Sequence, residues 1–188
     1  MPVQLMIHPL RALGAAAARP SLAAGVAGVA ATGLLSLALS LLALAVGGGG
    51  TAALVLSLAL PVMLAIFWLL SALLVGGGVR LMGLPPRRRE LLAVSGLTFP
   101  PLVLYAVVSV VQAASTRWGA GVLSTAAGWL ALPVVCWFVA LNAIAVRAVY
   151  DIPALSAVAI ALLPFAALSA VVMLLVVLLS ILHAAGAV

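Results

Sequence analysis

Five long apolar stretches alternate with short polar or glycine-rich gaps along the 188 residues of this chain. They predict membrane spans at roughly residues 21–46, 52–75, 91–114, 122–146 and 154–183. Each has at least about 20 residues, enough to cross about 30 Å of hydrocarbon as a helix. Backbone groups in lipid must bond within their own segment, so each span is read as helical. Gly47 to Gly50 leave room only for a tight hairpin, and Gly76, Gly77 and Gly78 are expected to end the second span. The loop from Val79 to Glu90 carries Pro85-Pro86, a short loop from Ser115 to Gly119 follows the third span, and Pro153 opens the fifth. Ahead of the spans, Pro9 suits the first position of a short helix reaching Arg19. Arg11 and Arg19 would share a face of it, as in a helix lying in the membrane interface. An irregular tail is the other reading. Residues 1–188 thus read as one all-α domain, a polytopic bundle of five transmembrane helices.

Composition agrees. The chain is 68% apolar and 5% charged, with a mean hydropathy of +1.49, whereas a soluble domain needs about 25% charged residues. Charge then sets the threading. Every basic residue is an arginine. Arg11 and Arg19 precede the first span, Arg80, Arg87, Arg88 and Arg89 share the second gap, and Arg147 lies in the fourth; only Arg117 falls in the other set. Short arginine-bearing loops stay in the cytoplasm. The expected topology therefore has the N-terminus cytoplasmic and the C-terminus outside. The net charge of +6 is accounted for by these loops, so nucleic acid is not expected as a partner. A bias to Ala and Arg without Lys suits a high-GC bacterial genome, hence the cytoplasmic (inner) membrane. A leader cleaved near Ala15 to Ala18 is not expected, since no basic region precedes it and Pro9 and Arg11 interrupt the apolar run.

The chemistry on offer is sparse. Pro61, the pair Pro100-Pro101, Pro133 and Pro164 lie inside four spans, and a rise of about 1.5 Å per residue puts each near the bilayer midplane. Each removes a helix hydrogen bond and can kink its helix. Such a layer can build a transport site, although proline is common in membrane helices in any case. No Asp, Glu, Lys, Arg or His lies deep in a span, where ion-coupled transporters and pumps need them. Asn142 is expected to hydrogen-bond across helices. His8 and His183 fall on opposite predicted sides and make no metal pair. Cys136 is read as a small buried apolar side chain. There is no HExxH, no carboxylate pair, and no base to activate a serine, so neither enzyme activity nor a cofactor is expected. Ala24, Gly28 and Thr32, and likewise Ala120, Ser124 and Gly128, recur at four-residue spacing; such faces allow close packing within the bundle or in a homo-oligomer. Arg147 and Asp151 are spaced to pair, and Asp151 also suits the start of the fifth helix. Arg80, Arg87, Arg88 and Arg89 are the candidate contact for membrane lipids or a protein partner at the cytoplasmic face, worth about 1 kcal/mol per arginine near an anionic leaflet.

Several segments carry a family resemblance. These are the proline-led short helix before the first span, Glu90-Leu91-Leu92 running on to Phe99-Pro100-Pro101-Leu102, and Ala148-Val149-Tyr150-Asp151-Ile152-Pro153-Ala154-Leu155 leading to Leu163-Pro164-Phe165. With five spans, this resembles the Ypt-interacting protein (Yip) family of membrane domains. The resemblance implies a non-enzymatic membrane protein acting through protein or lipid contacts, in membrane organisation or trafficking. Eukaryotic members are implicated in vesicle traffic through Rab-type GTPases; their acidic Asp-Leu-Tyr-Gly-Pro stretch is absent here. The alternative is a passive lipid or small-molecule transporter built on the proline layer.

Overall fold

The computed structural model describes residues 8–184, with side chains described as far as Ile181. It is helical throughout: α1 (Pro9–Ala18), α2 (Leu22–Gly47), α3 (Thr51–Leu81), α4 (Arg88–Ser95), a 3₁₀ turn (Gly96–Thr98), α5 (Pro101–Arg117), α6 (Gly121–Tyr150) and α7 (Ala154–Ala184). Five units are long and apolar enough to cross a membrane, with α4, the turn and α5 together making the third.

Helix ends follow local chemistry. Ser21 accepts the Ala24 N–H and starts α2. Gly48, at φ 73°, takes up the left-handed cap that ends it. Asp151 does the same for α6 at φ 51°, its N–H donating to the Arg147 carbonyl at 2.8 Å. It therefore closes the fourth span, not opening the fifth as its sequence position suggested; aspartate tolerates this conformation better than most residues.

The second span departs from expectation. Gly76, Gly77 and Gly78 do not end it, and α3 runs on to Leu81. Glycine costs about 1 kcal/mol against alanine in a helix, but an unpaired backbone group in hydrocarbon costs more. One of the three also makes room for a neighbour, since a Cβ at Gly78 would lie 2.5 Å from Leu163 of α7.

The third span carries its irregularity where the sequence predicts a kink, as a 3₁₀ turn just ahead of Pro100-Pro101, with Ser95, Gly96, Phe99 and Pro100 all keeping right-handed helical backbone. Neither Pro100 nor Pro101 has an N–H, so the regular helix hydrogen bonds to Gly96 and Leu97 are lost here, and Pro101 starts α5 at the position proline favours. The Thr98 hydroxyl donates to the Ser95 carbonyl at 2.7 Å, and the Leu102 N–H to that of Phe99 at 2.9 Å, so the turn keeps its polar groups paired. By contrast, α3, α6 and α7 pass through Pro61, Pro133 and Pro164 as unbroken helices.

This break shapes the bundle. The helices α2, α3, α7, α6 and α5 pack in sequence around a closed ring, with α5 returning to α2. The half-helix α4 stands inside it, against α2, α3 and α6. Half of the most apolar window of the third span is buried, compared with 28% or less in the others. The approach of α4 to α2 is backbone to backbone. A Cβ at Gly25 would lie 2.7 Å from the Leu92 carbonyl oxygen, one at Gly28 2.5 Å from that of Gly96, and one at Gly96 would strike the Gly25 backbone. The small-residue face around Gly28 and Thr32 thus packs within the bundle. So does that around Gly128, where a Cβ would be 3.0 Å from Gln112 Nε2.

The expected N-terminal helix is present, but it docks on protein instead of lying only in the interface. α1 packs on α6 and α4, with Leu13 fully buried in the core beside Leu91 and Val146, and with Arg11 and Arg19 exposed. Cys136 is exposed, contrary to expectation, on an outward face. From Leu168 to Ile181 every residue of α7 is exposed, as suits a helix whose solvent is lipid.

Two glycine substitutions should separate packing from propensity. A Cβ added at Gly77 would meet nothing within 4 Å, so Gly77→Ala should raise the melting temperature through about 0.5–1 kcal/mol of helix propensity. Gly96→Ala should lower it, by about 1–3 kcal/mol, as overpacked sites do. Thermal melts in detergent that shift both variants in the same direction would contradict the close approach of α2 and α4.

Candidate functional site

All four phenylalanines of the chain meet inside the ring. Phe67 comes from α3, Phe99 from the break, Phe138 from α6 and Phe165 from α7. Ring centroids lie 5.3 Å apart for Phe99–Phe138, 5.7 Å for Phe67–Phe165, 5.9 Å for Phe138–Phe165 and 6.5 Å for Phe67–Phe99, all edge to face. Such pairs add about 0.5–1.5 kcal/mol each beyond the area they bury. Sequence reading missed this cluster because four single aromatics on four separate spans make no local pattern. Beside it the Trp68 indole N–H donates to the Ser95 hydroxyl at 3.0 Å, in a buried bond tying α3 to α4.

A cavity of about 20 Å³ lies under this cluster, lined by Ser71, Ser95, Asn142, Phe99 and Pro164 among others. Its volume suits a single water. Asn142 does not bond across helices as expected. Its Nδ2 donates to the Phe138 carbonyl one turn back in α6, at 2.9 Å, and its amide borders the cavity. Nor do the prolines surround one space. Pro164 is buried and lines the cavity, Pro101 is buried, Pro61 packs on Gly33, and Pro133 is exposed.

The other feature is the arginine-rich end, formed by α1, the α3–α4 loop and the α6–α7 connection. Arg80, Arg87, Arg88 and Arg89 are all exposed there, but they differ in what they do. The Arg87 N–H donates to the Tyr150 hydroxyl at 3.1 Å, and its guanidinium to the Val149 carbonyl at 3.2 Å. It satisfies the end of α6, where carbonyls lack helix partners. Arg88 lies over Gly76. Arg80 and Arg89 make no side-chain hydrogen bond among the described residues, and no ion pair joins Arg147 to Asp151. At the opposite end Arg117, the exception to the charge pattern, donates to the Val46 carbonyl at 2.7 Å and caps α2. No metal-ligating group of three forms among the described residues; the side chain of His183 lies outside them.

The aromatic cluster should dominate the stability of this region. Phe138→Ala is expected to cost about 3–5 kcal/mol, as large core truncations do, and Trp68→Phe about 1 kcal/mol for one hydrogen bond. Equilibrium unfolding in detergent should rank them in that order; a Phe138→Ala loss no larger than that of Trp68→Phe would contradict it.

No family model, curated protein or solved structure matches the chain, and none of these comparisons supports the resemblance to the Yip family.

Proposed function

We propose that the protein is a non-enzymatic integral membrane protein that gathers anionic lipid headgroups at its arginine-rich face and so organises the membrane around it. The observation that carries this reading is the exposed set Arg80 and Arg89, with Arg11, Arg19 and Arg147 beside them, none held by a protein acceptor among the described residues. Seven of the eight arginines lie at this end with both acids, Glu90 and Asp151, leaving a surplus of five positive charges. The loop from Met82 to Arg87 is too short to carry them far from the headgroups. The positive-inside rule puts this end in the cytoplasm, where an anionic leaflet attracts each arginine by about 1 kcal/mol. A role in membrane organisation is also what the Yip resemblance implies. The transporter reading draws less support, because Pro133 faces outward and no acid, lysine or histidine lies deep in a span.

Reconstitution tests the lipid preference. The melting temperature should be higher in nanodiscs containing phosphatidylglycerol than in phosphatidylcholine alone. The gain should shrink with salt, as the Debye length falls from about 10 Å at 0.1 M to about 3 Å at 1 M. The double variant Arg80→Gln, Arg89→Gln, which spares the two arginines packed on protein, should lose most of the gain, while Arg117→Gln should keep it. Equal melting in both lipids at low salt would overturn the proposal. A topology reporter fused behind α7 should lie outside the cytoplasm; a cytoplasmic reporter would place the arginines on the wrong leaflet.

A further inference from the structure

We infer that the cavity under the aromatic cluster is a water site, in which one molecule of water bridges Ser71 of α3, Ser95 of α4 and Asn142 of α6. Hydroxyls in membrane helices usually donate to the carbonyl one turn back, and Thr32, Ser109, Ser115, Thr116, Thr125 and Ser180 all do so here. Ser71 does not. Its hydroxyl is buried and has no partner, and it borders the cavity. Ser36 has the same deficit but does not line this space.

The neighbours of Ser71 complete the pattern. Ser95 Oγ accepts the Trp68 N–H, but its own proton has no acceptor. Asn142 donates one N–H to Phe138, which leaves its side-chain oxygen open. The cavity therefore faces two hydroxyl protons and one amide oxygen. Water offers two lone pairs and two protons: it accepts from the two serines and donates to Asn142. Size agrees: about 20 Å³ exceeds the roughly 10–15 Å³ that one water needs. The site sits next to the break before Pro100, where helix hydrogen bonding stops, and it ties the inserted half-helix to two helices of the ring. The polar contact across helices expected of Asn142 is thus made through water.

A crystal structure of the full chain from a lipidic mesophase, at a resolution that shows ordered solvent, tests this directly. The expected result is a single compact peak within about 2.7–3.2 Å of Asn142 Oδ1 and of at least one of the two serine hydroxyls. An empty cavity with Ser71 turned back to the Phe67 carbonyl, or elongated density from an acyl chain, would overturn the inference. Melting temperatures give a second reading. Ser71→Ala and Asn142→Leu share no direct hydrogen bond but line one cavity, so it is a failure to couple that decides against a bridge. Through a common water the double variant should lose clearly less than the sum. Simple additivity would count against the site even if both single variants fold.

Discussion

At Gly25, Gly28 and Gly96 two backbones meet with no side chain between them. Lipid is as apolar as leucine, so burying apolar surface gives little drive to join helices, and attraction depends on how closely atoms can approach. Glycine removes the obstacle and lets Cα–H groups face carbonyl oxygens. Only at this distance can α4 stand inside a ring of five spans instead of beside it. The break before Pro100 has the same consequence from the other direction. It divides the span, so one half, α4, serves as core and the other, α5, as wall. Phe99, at the joint, then falls among Phe67, Phe138 and Phe165.

The arginines divide between two tasks. Arg87 and Arg117, one at each end of the bundle, donate to the last carbonyls of a helix, Val149 of α6 and Val46 of α2. Those carbonyls carry the partial negative charge of a helix C-terminus and are short of donors, so a cation there is favoured whichever side it lies on. This gives a structural reason for Arg117 to break the charge pattern. The remaining exposed arginines have no such acceptor among the described residues.

Much of this architecture was legible in the sequence because hydrocarbon imposes few rules. Five spans, the hairpin at Gly48 and the helix led by Pro9 all follow from length, glycine and proline. What failed to show had a different origin. The run Gly76 to Gly78 reads as a helix end in water, yet a membrane helix has no better use for its backbone groups than to continue. Pro100-Pro101 announced a disturbance but not its outcome, which turns on whether a neighbour offers space, and that space is set by Gly25 and Gly28 some seventy residues earlier. Asn142 stands out in the sequence as a polar residue in a span, while Ser71 and Ser95, which line the same cavity, look like two more serines among many. Contacts between distant spans decide such matters, and no period along the chain encodes them.

The docking of α4 inside the ring is the claim on which the aromatic cluster, the cavity and the arginine-rich end all depend. Amide hydrogen exchange of the protein in nanodiscs reads it most directly, since exchange reports the opening of backbone bonds element by element. The account predicts that amides from Leu91 to Phe99 exchange as slowly as the buried stretch of α6 around Leu141 to Val146. Exchange of that segment as fast as the loop from Met82 to Arg87 would contradict it and return α4 to the membrane surface.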